Sequence, residues 1–203
     1  MRQRSSNRPA VHDGRGFTLT EALIAMSLFA FILITVLMIY DSNQKTYVRG
    51  EATMDVQQNI RVALGAIVYD VRLAGYDPSN AIGAQPTYKN PLQPVGTALS
   101  TAELRLIADA DEDGTTDCVA YRLSSGQILR RVTSWTSGVC TWTAAESPVA
   151  ENITALTFTY FTGPGTTETT VPADARRVRV VITGGSASQG TSFTAESEGS
   201  LRQ

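Results

Sequence analysis

The sequence predicts an α+β protein: a long N-terminal helix, membrane-spanning and then amphipathic, packed on an antiparallel β-sheet head. Three observations predict it. An apolar run with Glu21 as its one charge fills residues 17–40, an apolar stripe at helical spacing follows over residues 56–74, and a series of short β-like runs comes after residue 100. Helix first and strands afterwards segregate into α+β layers rather than βαβ units. A chain of 203 residues has room for one head domain and the appended helix.

From Phe17 to Tyr40 the only charge is Glu21, and Ala22–Tyr40 contains no charge, Gly or Pro. As a helix that latter stretch is roughly 28 Å long, close to the ~30 Å hydrocarbon core of a bilayer. Arg2, Arg4, Arg8 and Arg15 precede the run against a single Asp13, whereas Asp41, Lys45, Arg49, Glu51 and Asp55 nearly cancel after it. This asymmetry keeps the N-terminus in the cytoplasm and exports the remainder. The apolar run is too long for a secretory signal and leads into Asp41-Ser42-Asn43-Gln44-Lys45 with no A-x-A-like cleavage site. A plain anchor fits the length but gives no reason for Glu21, since a carboxylate at the end of an apolar span is costly without a partner.

The residues Arg15-Gly16-Phe17-Thr18-Leu19-Thr20-Glu21 resemble the type IV prepilin processing motif. The resemblance implies that residues 1–16 are a basic leader, that prepilin peptidase cuts between Gly16 and Phe17, and that the new Phe17 amine is methylated. It places Glu21 at the fifth mature position. An extended glycine suits close approach by a protease. The new amine and the Glu21 carboxylate of a neighbouring subunit can neutralise one another where each alone would be costly. Thr20 and Ala22 depart from the commonest pattern, but the glycine, the aromatic and the carboxylate remain.

Past Tyr40 the helix is expected to continue in amphipathic form over residues 41–75. Val56, Ile60, Ala63, Leu64, Ile67, Val71 and Ala74 make one stripe, with Gln57, Gln58, Asn59, Arg61, Asp70 and Arg72 mostly off it. Gly75 is placed to cap the helix and Pro78 to stop it. Residues 76–203 form the β-rich head, beginning with a proline-rich connector over 76–100. Strands are expected at Glu103–Ala108, Cys118–Leu123, Gln127–Thr133, Val139–Thr143, Ile153–Phe161 and Arg177–Thr183. Leu156, Phe158 and Tyr160 share one strand face, as do Val178, Val180 and Ile182. Ser125-Gly126 suits a tight hairpin, residues 163–176 read as a loop, and a flexible tail with one short edge strand near Thr191–Thr194 follows Gly184.

Lys45, Asn59-Ile60-Arg61 and Asp70-Val71-Arg72-Leu73-Ala74-Gly75-Tyr76 further resemble the PilW minor pilins, which are related to the J-type pseudopilins of type II secretion; the later runs Ile153–Tyr160 and Val178–Ile182 look like that family's closing strands. That resemblance implies a minor pilin at the tip or initiation complex of a pilus. Its partners would be prepilin peptidase/methylase, other minor and major pilins and inner-membrane assembly machinery. The precursor would sit in the inner membrane with a periplasmic head, and later in a surface pilus or a periplasmic pseudopilus. A J-type pseudopilin and a membrane-tethered adhesin or binding protein are the competing readings.

Formal net charge is −2, and removing the leader leaves thirteen Lys/Arg against eighteen Asp/Glu, a poor match for a polyanion. Arg130-Arg131 and Arg176-Arg177-Arg179 form basic clusters without aromatic interleaving, which weighs against nucleic acid. Trp135 and Trp142 read as sheet or loop packing. The single histidine, His12, falls in the leader, so the mature chain has no imidazole base. No catalytic constellation is visible, and an enzyme is not expected. Cys118 and Cys140, in an exported region, read as a disulfide, the alternative being two buried thiols. Asp109-Ala110-Asp111-Glu112-Asp113-Gly114-Thr115-Thr116-Asp117 has the spacing of an EF-hand-like loop, with Asp109, Asp111, Asp113, the Thr115 carbonyl and Asp117 as calcium ligands. Ala120 stands where the bidentate Glu belongs. A solvated Asp/Gly hairpin turn uses the same residue types. No other cofactor is expected.

Overall fold

The structure is a computed structural model that describes residues 16–76, 91–136, 140–163, 165–186 and 190–201. His12 and the rest of the leader before Gly16 lie outside the described residues, as do residues 77–90 of the expected connector. One helix, α1 (Leu19–Leu73), carries both the apolar run and the amphipathic stripe. The chain forms two compact units, one through Tyr47 and one from Val48.

In the first unit, α1 is long and apolar enough to cross a membrane, and none of its apolar window is buried within the protein. Leu23, Ile24, Phe29, Phe31, Ile32, Leu37 and Ile39 are all more than half exposed. Two hydroxyls of the apolar run are satisfied by the helix backbone itself, as a hydrocarbon environment would require. Ser27 Oγ donates to the Ile24 carbonyl at 2.8 Å and Thr35 Oγ1 to that of Ile32 at 2.7 Å.

In the second unit the predicted stripe is buried in full: Val56, Ile60, Ala63, Leu64, Ile67, Val71 and Ala74 all lie in one core with buried residues of the head's strands. Gly75 adopts φ 87°, the left-handed geometry of a helix terminator, and its N–H reaches the Ile107 carbonyl at 3.0 Å. The end of α1 is thereby fastened to the first strand of the head.

That head contains two antiparallel sheets rather than one. The first has the order β1 (Glu103–Ala108), β2 (Asp117–Ser124), β3 (Gln127–Ser134), β4 (Glu146–Ala150). The second has the order β5 (Ile153–Phe161), β6 (Arg177–Ser186), β7 (Thr191–Ser200). Ser125 and Gly126 both have positive φ, as a two-residue primed hairpin turn demands. In the second sheet the two predicted faces meet directly, with Leu156 opposite Ile182, Phe158 opposite Val180 and Tyr160 opposite Val178.

Three further expectations need correction. The run Val139–Thr143 is not a strand: Val139 is outside the described residues, Cys140–Ala145 is irregular, and β4 lies further on at Glu146–Ala150. Glu146 carries that pairing, because Arg122 and Arg131 both bind its carboxylate and draw Ser147 and Pro148 alongside β3. Pro148 is tolerated since β4 is an edge. The expected flexible tail is, over Thr191–Ser200, a ten-residue strand paired along β6. Its inward positions Ala195, Ser197 and Gly199, opposite Ile182, Val180 and Val178, are small because α1 comes close: a Cβ on Gly199 would lie 2.6 Å from Val71 Cγ1. Lastly, Asp70 is not on the solvent side of the stripe but buried, 3% exposed.

Candidate functional site

Two sites follow from the predicted residues. At the first, Gly16, Phe17 and Thr18 precede the helix in non-helical conformation. Thr18 Oγ1 accepts the Glu21 backbone N–H at 3.3 Å, and the Thr18 carbonyl accepts from Ala22. Thr18 is therefore the N-cap of α1, with Glu21 at the third helical position, where an acid also favours the helix dipole. This cap was missed, although the T-x-x-E spacing signals it. Its effect is to leave the Gly16–Phe17 bond outside the helix, with Phe17 84% exposed.

The second site is the β1–β2 connection. Asp109 follows β1 directly and Asp117 opens β2, so the hairpin register, Ala108 opposite Asp117, brings them together. Oxygens of Asp109, Asp111 and Asp117 lie within 4.8 Å of one another, a group that could hold a metal ion. Asp109 and Asp117 are buried and Asp111 is exposed. Asp109 Oδ2 accepts the Gly114 N–H at 3.2 Å, while its buried Oδ1 has no hydrogen-bond partner among the described residues. Asp117 Oδ2 accepts the Ala110 N–H at 3.4 Å. Burial pushes the Asp117 carboxyl above the ordinary range, with repulsion from Asp111, Asp113 and Asp109 acting the same way and the Ala110 hydrogen bond opposing.

Asp113 stands outside that group. It accepts both the N–H and the hydroxyl of Thr115, and the hydroxyl bond foremost holds its carboxyl below the usual range. Thr115 thus serves as Asp113's donor, and the pair shapes the turn. Ala120, where a twelfth ligand was sought, is instead an interior residue of β2 opposite Arg105 and Arg131.

Cys118, next to Asp117, is bonded to Cys140, with Cα atoms 5.7 Å apart. Closing a loop over a separation of 22 residues is worth about 3 kcal/mol in the chain-entropy model. Trp142 sits close by, its ring 4.8 Å beneath the Arg105 guanidinium and its carbonyl bound by Arg131. The predicted basic clusters are engaged within the fold. Arg130 binds Asp70, Arg131 binds Glu146, Arg176 donates to the Ala173 and Ala175 carbonyls, and Arg177 and Arg179 both bind Glu198.

These pairs give the head an acid-sensitive component. Hydrogen bonding to Arg122, then the Arg131 charge, holds Glu146 below the usual carboxylate range, and Arg179 foremost does the same for Glu198. A lowered folded-state pKa stabilises above the unfolded value, about 4.3 for Glu, and that stability is lost as pH falls through the folded value. The thermal midpoint is therefore expected to drop below about pH 4.3. A Glu146→Gln, Glu198→Gln double variant should drop less over the same range, and a wild-type slope in that variant would assign the acid response elsewhere.

An apolar helix entered through a capped Gly-Phe junction and carrying a disulfide-bonded β head defines a type IV pilin-like protein. Residues 13–37 match the family described as prokaryotic N-terminal methylation motif. Residues 49–201 match the family described as prepilin peptidase-dependent protein B, which covers most of the chain, and the chain belongs to that family. These are families of pilin-like structural proteins. No curated protein matches the chain.

Proposed function

We propose that this protein is a minor pilin, a non-enzymatic structural subunit of the tip or initiation complex of a type IV pilus. The observation that carries the reading is the order of its parts: a methylation-motif segment over 13–37 feeding, through one helix, a head of the prepilin peptidase-dependent B type over 49–201. Prepilin peptidase cuts the precursor between Gly16 and Phe17 at the cytoplasmic face and methylates the Phe17 amine. The head folds in the periplasm, and the apolar half of α1 passes from the inner membrane into the filament. There, Glu21 pairs with the Phe17 amine of a neighbouring pilin, which sets axial register as each subunit joins.

The test is mass spectrometry of the mature N-terminus together with two variants. Wild type should begin at methylated Phe17. Gly16→Val should leave essentially all of the chain uncut, whereas Glu21→Val should be cut and inserted normally but be depleted about tenfold or more from sheared filaments, the equivalent of about 1.4 kcal/mol. An uncut Gly16–Phe17 bond in wild-type cells with active peptidase overturns the reading. Recovery of the mature chain with a secretin complex and never in pili would reassign it to a pseudopilus, and recovery only from the inner membrane would make it a tethered binding protein.

Calcium is the ion proposed for the acidic loop, because hard carboxylate oxygens without His or Cys suit it. With no bidentate Glu in the loop, the affinity belongs to the weak extracellular range of about 10⁻⁴–10⁻³ M.

A further inference from the structure

We propose that calcium held by Asp109, Asp111 and Asp117 closes a clasp between the β1–β2 loop and helix α1 through Glu112 and Tyr69. The clasp rests on the calcium reading above and goes beyond it by giving the ion a task.

Two features of the loop point to a cation. Its three facing carboxylates lie within 4.8 Å of one another, and two of them are almost wholly buried. Packed carboxylates repel strongly away from water. Independently, Asp109 is only 3% exposed and its Oδ1 is a buried acceptor with no donor among the described residues. A buried carboxylate oxygen left unmatched is costly, and an oxygen-seeking divalent ion supplies both the missing partner and the missing positive charge. The remaining loop groups are already committed: Asp111 Oδ1 accepts the Asp113 N–H at 3.3 Å, and Asp113 serves Thr115. The set that faces the ion is therefore Asp109, Asp111 and Asp117.

Glu112, between two of these groups, faces another way. Its backbone has φ 60°, a left-handed conformation unusual for glutamate. Its carboxylate accepts the hydroxyl proton of Tyr69 on α1, and this hydrogen bond is the leading cause that raises the Tyr69 phenol above its ordinary pKa. Tyr69 immediately precedes Asp70, which is bound by Tyr121 and Arg130. The loop is thus joined to the helix at Glu112 and to the disulfide at Cys118. Drawing the three aspartates together on one ion fixes the backbone on both sides of Glu112 and holds its carboxylate against Tyr69. At submillimolar to millimolar affinity the clasp closes outside the cytoplasm, once the head has been exported.

The experiment uses the purified mature protein in detergent, with calcium titrated calorimetrically and hydrogen exchange followed with calcium or EDTA. Wild type should bind one calcium, which magnesium replaces poorly, and calcium should slow exchange both in the loop and in α1 around residues 66–72. Asp111→Asn, at an exposed position that leaves the fold intact, should weaken calcium binding about tenfold or more. Tyr69→Phe should bind calcium as wild type does and keep loop protection, but lose the calcium-dependent protection of the helix. Failure of wild type to bind calcium overturns the calcium reading and the clasp together. Normal binding with the same helix protection in Tyr69→Phe and wild type overturns the clasp alone.

Discussion

Asp70→Ala is expected to destabilise the head by about 3 kcal/mol, the lower part of the range for breaking a buried ion pair. The Tyr121 hydroxyl donates to Asp70 Oδ2 at 2.6 Å, and Arg130 Nε donates to the same oxygen at 2.9 Å. Removing the carboxylate strands a fully buried phenol and a guanidinium that is only 28% exposed. That residual exposure lets water reach Arg130 and keeps the cost from the top of the range. Burial, then the Asp70 charge and hydrogen bond, pushes the Tyr121 phenol above its ordinary pKa, so it stays a donor at any physiological pH. Tyr121→Phe should cost less, about 1.5–3 kcal/mol, because it deletes one bond to a charged acceptor and leaves the ion pair. Urea unfolding of the detergent-solubilised protein, followed by Trp135 and Trp142 fluorescence, measures both. A loss below about 1 kcal/mol for Asp70→Ala would mean that the apolar stripe alone holds the helix.

Gly199→Val should be comparably damaging. An added Cβ would sit 2.6 Å from Val71 Cγ1, closer than real Cβ contacts come, and a tight 3.1 Å from Val71 Cβ. Val71 is β-branched and on a helix, so it has one strongly preferred rotamer and cannot swing aside. Either α1 lifts from the second sheet or β7 bends away, and overpacking of this kind costs about 1–3 kcal/mol or more. Gly65 gives the contrast: it is exposed within α1 and a Cβ there meets nothing within 4 Å. Gly65→Ala should therefore stabilise the helix by up to about 1 kcal/mol. The same denaturation curves test the pair, and equal signs for the two substitutions would refute close helix–sheet contact at Gly199.

Much of the fold was legible because its signals are local. The apolar run, the stripe from Val56 to Ala74, the Gly75 terminator, the Ser125-Gly126 turn and the alternation in β5 and β6 each need only a few neighbouring residues to declare themselves. What was not legible depends on partners far away in sequence. β4 exists because Glu146 meets Arg122 and Arg131, and nothing in Glu146-Ser147-Pro148 alternates. β7 shows little apolar periodicity because its covered face is small by necessity under α1. Asp70 looks like a surface residue until Tyr121 and Arg130 are brought to it. In the acidic loop the spacing identified the cluster, but which aspartates face one another was decided by the β1–β2 register and by Thr115, which draws Asp113 out of the group. At the processing segment the residues were plain, whereas the role of Thr18 required knowing where the helix starts.

The placement of β7 bears on when the head can be finished. Roughly 130 residues separate Val71 from the Gly199 that lies against it, a span whose closure is entropically slow. Until the segment through Ser200 has been synthesised, the flank of α1 that β7 later shields remains uncovered. A chain still lacking β7 is then an unfinished head with an apolar helix flank open at one side, the kind of surface on which folding intermediates associate wrongly. Completion is therefore governed from the far end of the head, and the helix acquires its cover only after the whole sheet beside it has arrived.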